Sequence, residues 1–200
     1  MLRIAHSATL IIMLRALSAF FIDIIETVVI AIFIFVVVYF FLVQPHQVRG
    51  ESMMPTFQDG EYILTDKLSY RFHNPERGDV IVFRSPQNES VDFIKRIIGL
   101  PGERVEVTGG KVEIFNSQFP NGLTLNETYT NGDPTQSGIE VKDGVPYTVP
   151  TDEYFVMGDN RAHSSDSRDF GAIKKSSIIG RAWIRYWPLP DLSFVPQVQY

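Results

Sequence analysis

The chain has 200 residues, 18 Lys and Arg against 23 Asp and Glu, a formal net charge of −5 and no cysteine. That length holds one domain with a sizeable core plus a separate segment. Dispersed charges with no basic block exclude nucleic acid as a partner, and the lack of cysteine excludes disulfides, thiolate metal sites and a cysteine nucleophile.

The N-terminal 43 residues are dominated by apolar side chains. From Thr27 to Val43 the sequence "TVVIAIFIFVVVYFFLV" carries no charge, and it extends back to Phe20 if Asp23 and Glu26 lie at an interface. About 20 apolar residues cross a hydrocarbon core of roughly 30 Å, so residues 20–43 are predicted to form a transmembrane anchor. "FLVQPHQVRG" offers no small-x-small cleavage site, so the segment is expected to be retained. Residues 1–19, apolar but interrupted by Arg15, are expected to be an interfacial or membrane-proximal helix, or a continuation of the span. Arg3 and Arg15 before the span, against Arg49 after it, slightly favour a cytoplasmic N-terminus, with everything from Gln44 onward outside the cytoplasm.

After Pro45, expected to end the helix, the pattern changes to short alternating runs. Strands are predicted in "EYILTD", "DVIVFRS", "DFIKRIIGL", "RVEVTG", "KVEIFN", "YTVPT", "EYFVMGD" and "IIGRAWIRYW", separated by turn compositions such as "LPGE" and "TGGK". No helical period of comparable length competes with them. The fold class is therefore mainly β: a β-rich domain over residues 44–200 tethered by one helix. Residues 116–143, rich in Asn, Gly, Thr and Pro, read as an inserted loop region.

Three stretches carry candidate chemistry. In "GESMMPT", Ser52 lies in a turn, where its hydroxyl is a poor nucleophile unless a base removes the proton. In "DFIKRIIGL", period-2 alternation places Lys95 and Arg96 on opposite faces of one apolar strand. A buried Arg96 needs a carboxylate partner, whereas Lys95 can respond to burial by becoming neutral. A neutral lysine is a general base, and a Ser-Lys pair is one way to activate a hydroxyl. The third stretch, "GDNRAHSSDSRDFG", packs Asp159, Arg161, Asp166 and Arg168 into a polar cluster after a strand, either as a solvated loop or as a network holding a catalytic group. The four histidines, His6, His46, His73 and His163, lack zinc spacing, and no metal is expected.

Together these stretches resemble the type I signal peptidases, membrane-bound Ser-Lys endopeptidases that remove signal peptides from exported proteins. "GESMMPT" is similar to the nucleophile box, "RGDVIVF" to a structural strand box, "DFIKRIIGLPGE" to the lysine box and "GDNRAHSSDSR" to the C-terminal box. The resemblance implies a signal-peptidase-like β-rich catalytic domain with Ser52 as nucleophile and Lys95 as general base, and Ser164 hydrogen-bonded to the lysine amine. It implies that Arg96 pairs with a carboxylate of the C-terminal box, Asp159 first among them, with Arg161, Asp166 and Arg168 completing the network. Val48, Met53, Pro55, Phe57 and Phe93 occupy positions that line shallow pockets for small side chains. Gly50 stands where some members carry a hydroxyl that donates to the oxyanion, leaving the Ser52 N–H and a second donor open. No cofactor is implied. The implied partners are signal-peptide-bearing preproteins, the lipid bilayer and the protein export machinery, at a cell membrane crossed once. The rival readings are a self-cleaving repressor-type Ser-Lys protease, a Ser-His-Asp site using His163 and Asp166, and a membrane-tethered β module that binds without catalysis.

Overall fold

The computed structural model describes residues 2–198 and residue 200, with side chains from Met13 onward apart from Phe40. Two compact units divide the chain, Met1–Leu42 and Val43–Tyr200.

The first unit is one continuous helix, α1 (Leu2–Val37), that passes into a π-helical turn, Val38–Leu42. No Gly or Pro precedes Pro45, so nothing interrupts the backbone ladder. Its two described hydroxyls fold back onto the helix, Ser18 Oγ donating to Arg15 O at 2.9 Å and Thr27 Oγ1 to Asp23 O at 2.8 Å. Such self-satisfaction suits surroundings without water. Met13–Val37, 25 residues with none buried, is long and apolar enough to cross a membrane; at 1.5 Å per residue it spans about 37 Å. The helix has no break near residue 19, and Pro45 does not end it. Pro45 lies instead in a strand at a sheet edge, where its missing N–H costs no ladder bond.

The described residues of the second unit form twelve strands: β1 (Val43–Gln47), β2 (Tyr62–Asp66), β3 (Val80–Arg84), β4 (Asp92–Gly99), β5 (Arg104–Thr108), β6 (Lys111–Phe115), β7 (Leu123–Thr124), β8 (Tyr147–Thr148), β9 (Glu153–Met157), β10 (Ile173–Lys174), β11 (Ile178–Trp187) and β12 (Ser193–Phe194). A short helix, α2 (Ser167–Phe170), follows β9. The larger sheet has the order β1-β2-β11-β3-β4-β9-β10, with β12 on β11, and the smaller has the order β7-β6-β5-β8. The fold is thus mainly β, antiparallel, with one long N-terminal apolar helix.

The pleat distributes β3 between two cores. Val80 and Val82 pack with Val48, Met53, Phe57 and Ile63, whereas Ile81 and Phe83 pack with Ile97, Tyr154 and Val156. Strand β4 lies inside the sheet, paired with β3 over Asp92–Arg96 and with β9 from Arg96 onward, with Ile81 opposite Lys95 and Val80 opposite Arg96.

Residues 116–143 are more than an inserted loop. They contribute β7 to the small sheet, bury Leu125 and Val141 in its core, and place the Glu127 carboxylate on Arg161, whose side chain is 1% exposed. Composition alone misses this because polar turn residues surround the few apolar anchors. Removing one partner of a buried ion pair strands the other. Glu127→Ala is therefore expected to destabilise the folded domain by about 3 kcal/mol, measured as a lowered denaturant midpoint with an unchanged slope.

Candidate active site

Ser52 sits in the turn between β1 and β2. Gly50 opens the turn with φ +83°, a left-handed conformation that glycine adopts without strain, and its N–H donates to Asp59 Oδ1 at 2.7 Å. Met53 and Phe57, 1% and 2% exposed, pin the turn into the core, each burial contributing roughly 1.5–3 kcal/mol. Ser52 itself stays half-buried.

Lys95 reaches the turn from β4. Its Nζ donates to Ser52 Oγ at 2.8 Å and to Ile94 O at 3.0 Å, and lies 5.4 Å from the Phe93 ring centre. The residue is 4% exposed. Burial pulls its pKa from 10.5 down to about 8, although the carboxylates of Asp166 and Asp159 oppose the shift. Desolvation of the ammonium therefore outweighs attraction at this site.

On the opposite face of β4, Arg96 keeps its charge by a different arrangement. Its Nε and Nη2 donate to the two oxygens of Asp159 at 2.8 and 2.6 Å, and Nη1 donates to Gly78 O at 2.8 Å. The guanidinium also lies 4.1 Å from the Tyr129 ring centre. Bidentate geometry, a carbonyl and an aromatic face together compensate a side chain that is 1% exposed.

The segment after β9 holds two more such pairs. Asp166 caps α2 through Arg168 N, accepts from the Arg168 guanidinium at 2.8 Å and from Gly158 N at 3.0 Å. Burial raises the Asp166 carboxyl, but Arg168 and these N–H donors hold it below the usual carboxylate range. Ser164 Oγ contributes to that lowering at a geometry that falls short of a hydrogen bond. Arg161 donates to Glu127, to Thr135 Oγ1 at 2.8 Å and to Gly158 O at 3.1 Å.

The structure therefore brings together Ser52 with Lys95, Arg96 with Asp159, and Asp166 with Arg168. It does not bond Ser164 to Lys95: the Ser164 hydroxyl is buried and has no hydrogen-bond partner among the described residues. The five expected pocket residues also separate. Val48 and Phe93 line a cleft of about 330 Å³ that includes Ser52, Lys95, Ile63, Val82 and Ile94, whereas Pro55 and Phe57 line a second cleft and Met53 is a core residue. His163 is exposed, and the Asp166 oxygens are already engaged by Arg168 and Gly158, which leaves no Ser-His-Asp arrangement among the described residues.

Four participants have no singled-out role in the sequence reading. His46 lines the first cleft with Asp92, its Nε2 3.4 Å from the carboxylate and its Nδ1 2.9 Å from Thr65 Oγ1; burial lowers its pKa despite Asp92. Glu127 is hidden in an apparent loop. Gly158 and Asn160 sit inside the same polar stretch, but Gly158 acts through its own backbone N–H and carbonyl and Asn160 holds the backbone carbonyls of Glu51 and Ser52, which sequence pattern does not reveal.

Gly158 is constrained by space. A Cβ there would meet Ser164 Oγ, Ser164 Cβ and the Ser52 carbonyl, all in the walls of the site. Gly158→Ala is expected to lower stability by about 1–3 kcal/mol and to displace Ser52 from Lys95, visible as a changed Lys95 titration by NMR.

Comparison with known proteins shows the family. Residues 21–187 match the family described as signal peptidase, peptidase S26. A signal peptidase I from Leptolyngbya laminosa is 42% identical over 160 residues, covering 76% of this chain and 72% of the relative. A signal peptidase IB from Staphylococcus aureus strain MRSA252 is 34% identical over 181 residues, covering 84% and 90% respectively. A crystal structure of a signal peptidase I from Enterococcus faecalis, 34% identical, covers 55% of this chain and 97% of that one with a TM-score of 0.42. With the match running from within the apolar helix to the end of β11, and relatives aligned over most of both chains, this chain belongs to the signal peptidase family, peptidase S26.

Proposed function

We propose that this protein is a membrane-tethered serine endopeptidase that removes N-terminal signal peptides from preproteins through a Ser52–Lys95 dyad. The observation that carries the reading is a buried Lys95 amine, its pKa brought to about 8, 2.8 Å from the Ser52 hydroxyl. Family membership supports the substrate class.

An extended segment of the preprotein docks beside the Asp92–Lys95 part of β4, which β9 leaves unpaired, or the edge strand β1, where main-chain hydrogen bonds fix its register. Val48, Phe93 and Ile94 give the cleft an apolar lining against which the small side chains of the cleavage site pack. Neutral Lys95 accepts the Ser52 proton as Oγ attacks the scissile carbonyl. The Ser52 N–H stabilises the oxyanion, the Lys95 ammonium protonates the leaving amine, and an ester to Ser52 remains. Lys95, again neutral, deprotonates a water that hydrolyses the ester. Arg96–Asp159 and Asp166–Arg168 keep β4 and the segment after β9 rigid around this exchange.

Helix α1 suits a single membrane span with the N-terminus in the cytoplasm and the β-rich domain on the far side. Substrate and enzyme then share one bilayer, which raises their effective concentration. The lipid bilayer and the export machinery are the partners this placement implies.

Cleavage of a synthetic small-x-small signal peptide in detergent tests the reading. Ser52→Ala and Lys95→Met are expected to lower kcat by at least about 10³-fold with folding retained; activity within tenfold of wild type in either would overturn the dyad, and failure of the wild type itself to cleave would leave the non-catalytic β module. The kcat/KM of the wild type is expected to rise about tenfold per pH unit below about 8 and to level above it.

Stability follows the same titration. Between pH 8 and 10.5 the unfolded chain holds a proton on Lys95 that the folded chain has released, so folding is favoured as pH rises. That gain approaches about 3 kcal/mol, and below pH 8 it is absent. Lys95→Met is expected to abolish this rise, read from denaturant midpoints at pH 7.5 and 10.

A further inference from the structure

Asn160 lies three residues past the end of β9, next to Asp159, and is 4% exposed. Its backbone N–H donates to Ser52 O at 3.0 Å, and its side-chain Nδ2 donates to Glu51 O at 3.1 Å. Glu51 O accepts a second bond from Met54 N, also at 3.1 Å. The successive carbonyls of Glu51 and Ser52 are thus gripped by a residue 109 positions beyond Glu51 in sequence.

The Glu51 carbonyl and the Ser52 N–H belong to one peptide unit, which is trans. In a trans unit the C=O and N–H point in opposite directions within one plane. Whatever fixes the Glu51 oxygen therefore fixes the direction of the Ser52 N–H. Among the described residues the Ser52 N–H meets no acceptor, so its donor capacity is available to a ligand. Hydrogen bonds to the carbonyl also polarise the unit and strengthen its N–H as a donor.

The amide orientation of Asn160 has a chemical reason. Turning it over would set Oδ1 against the Glu51 oxygen, two acceptors face to face. In the orientation observed Oδ1 is buried without a partner, a cost that the donor side must offset. Asn160 is carried by Asp159, whose carboxylate is locked on Arg96, so the grip on Ser52 is continuous with the most buried ion pair of the domain.

We propose that Asn160 is a positioning residue that aims the Ser52 N–H at the oxyanion formed during acyl transfer. The inference rests on the Ser52–Lys95 reading and adds what sets the direction of its backbone donor. Deleting an oxyanion donor costs about 10²–10³ in kcat; releasing one from its proper direction is expected to cost about 10–100-fold.

The test compares wild type, Asn160→Leu and Asn160→Asp in the full-length protein in detergent. Both variants keep the backbone N–H and the approximate side-chain shape, and neither can donate to Glu51 O at pH 8 and above. Three quantities are read: kcat and KM on a small-x-small signal peptide, affinity for the matching peptide aldehyde, which forms a tetrahedral adduct on a serine, and affinity for the carboxylate product peptide. We expect kcat and aldehyde affinity to fall together by about 10–100-fold, with KM, product affinity and the rate midpoint near pH 8 unchanged. A merely structural role would weaken product binding in proportion and move the midpoint. The proposal is overturned if either folded variant keeps wild-type aldehyde affinity within twofold, or loses product affinity equally. If wild type itself forms no aldehyde adduct, or Ser52→Ala cleaves as wild type does, the dyad reading fails and this inference with it.

Discussion

A single strand, β4, must carry two cations into the interior side by side, and the rest of the domain is arranged around that constraint. The pleat sends Lys95 and Arg96 to opposite faces, so each meets a different environment at nearly the same depth. Arg96 cannot shed its proton and is matched by a bidentate carboxylate, a carbonyl and an aromatic ring. Lys95 has no carboxylate in contact, only a hydroxyl and a carbonyl, and burial moves it toward neutrality. The difference between a structural cation and a titrating one comes from what stands within 3 Å of each.

The polar stretch after β9 supplies that difference. Asp159 goes to Arg96 and Asp166 goes to Arg168 and Gly158 N, so both nearby carboxylates are committed elsewhere and act on Lys95 only at a distance. A carboxylate released from either pair would be available to hold the ammonium in its charged form. Arg161 and Arg168 therefore influence Lys95 without touching it, by keeping this segment in one shape.

Much of the architecture is legible in the sequence because alternation is strong where strands are long. All eight quoted runs coincide with β2, β3, β4, β5, β6, β8, β9 and β11. The other four strands are hidden for identifiable reasons. β7, β10 and β12 are two residues each, too short for a period, and β1 contains Pro45 and follows directly on an apolar run. At the site, residue chemistry points to Ser52, Lys95 and the need of Arg96 for a carboxylate, since a buried guanidinium has few solutions. The unbonded Ser164 hydroxyl, the division of the apolar residues between two clefts, and the use of Asn160 depend on where backbone carbonyls point, which no side-chain pattern encodes.

The span of chain between Ser52 and its supports has a consequence for when this protein can act. The contacts that define the site join residues 43, 63 and 109 positions apart, and the last of them closes only when the segment beyond β9 has joined the sheet. A growing polypeptide that has emerged through β4 contains both Ser52 and Lys95 but lacks the frame that aligns them, because loop closure over such distances precedes any reward from contact. On the proposed dyad, hydrolytic competence would wait until the domain is nearly whole, and half-made copies would be kept from attacking their neighbours.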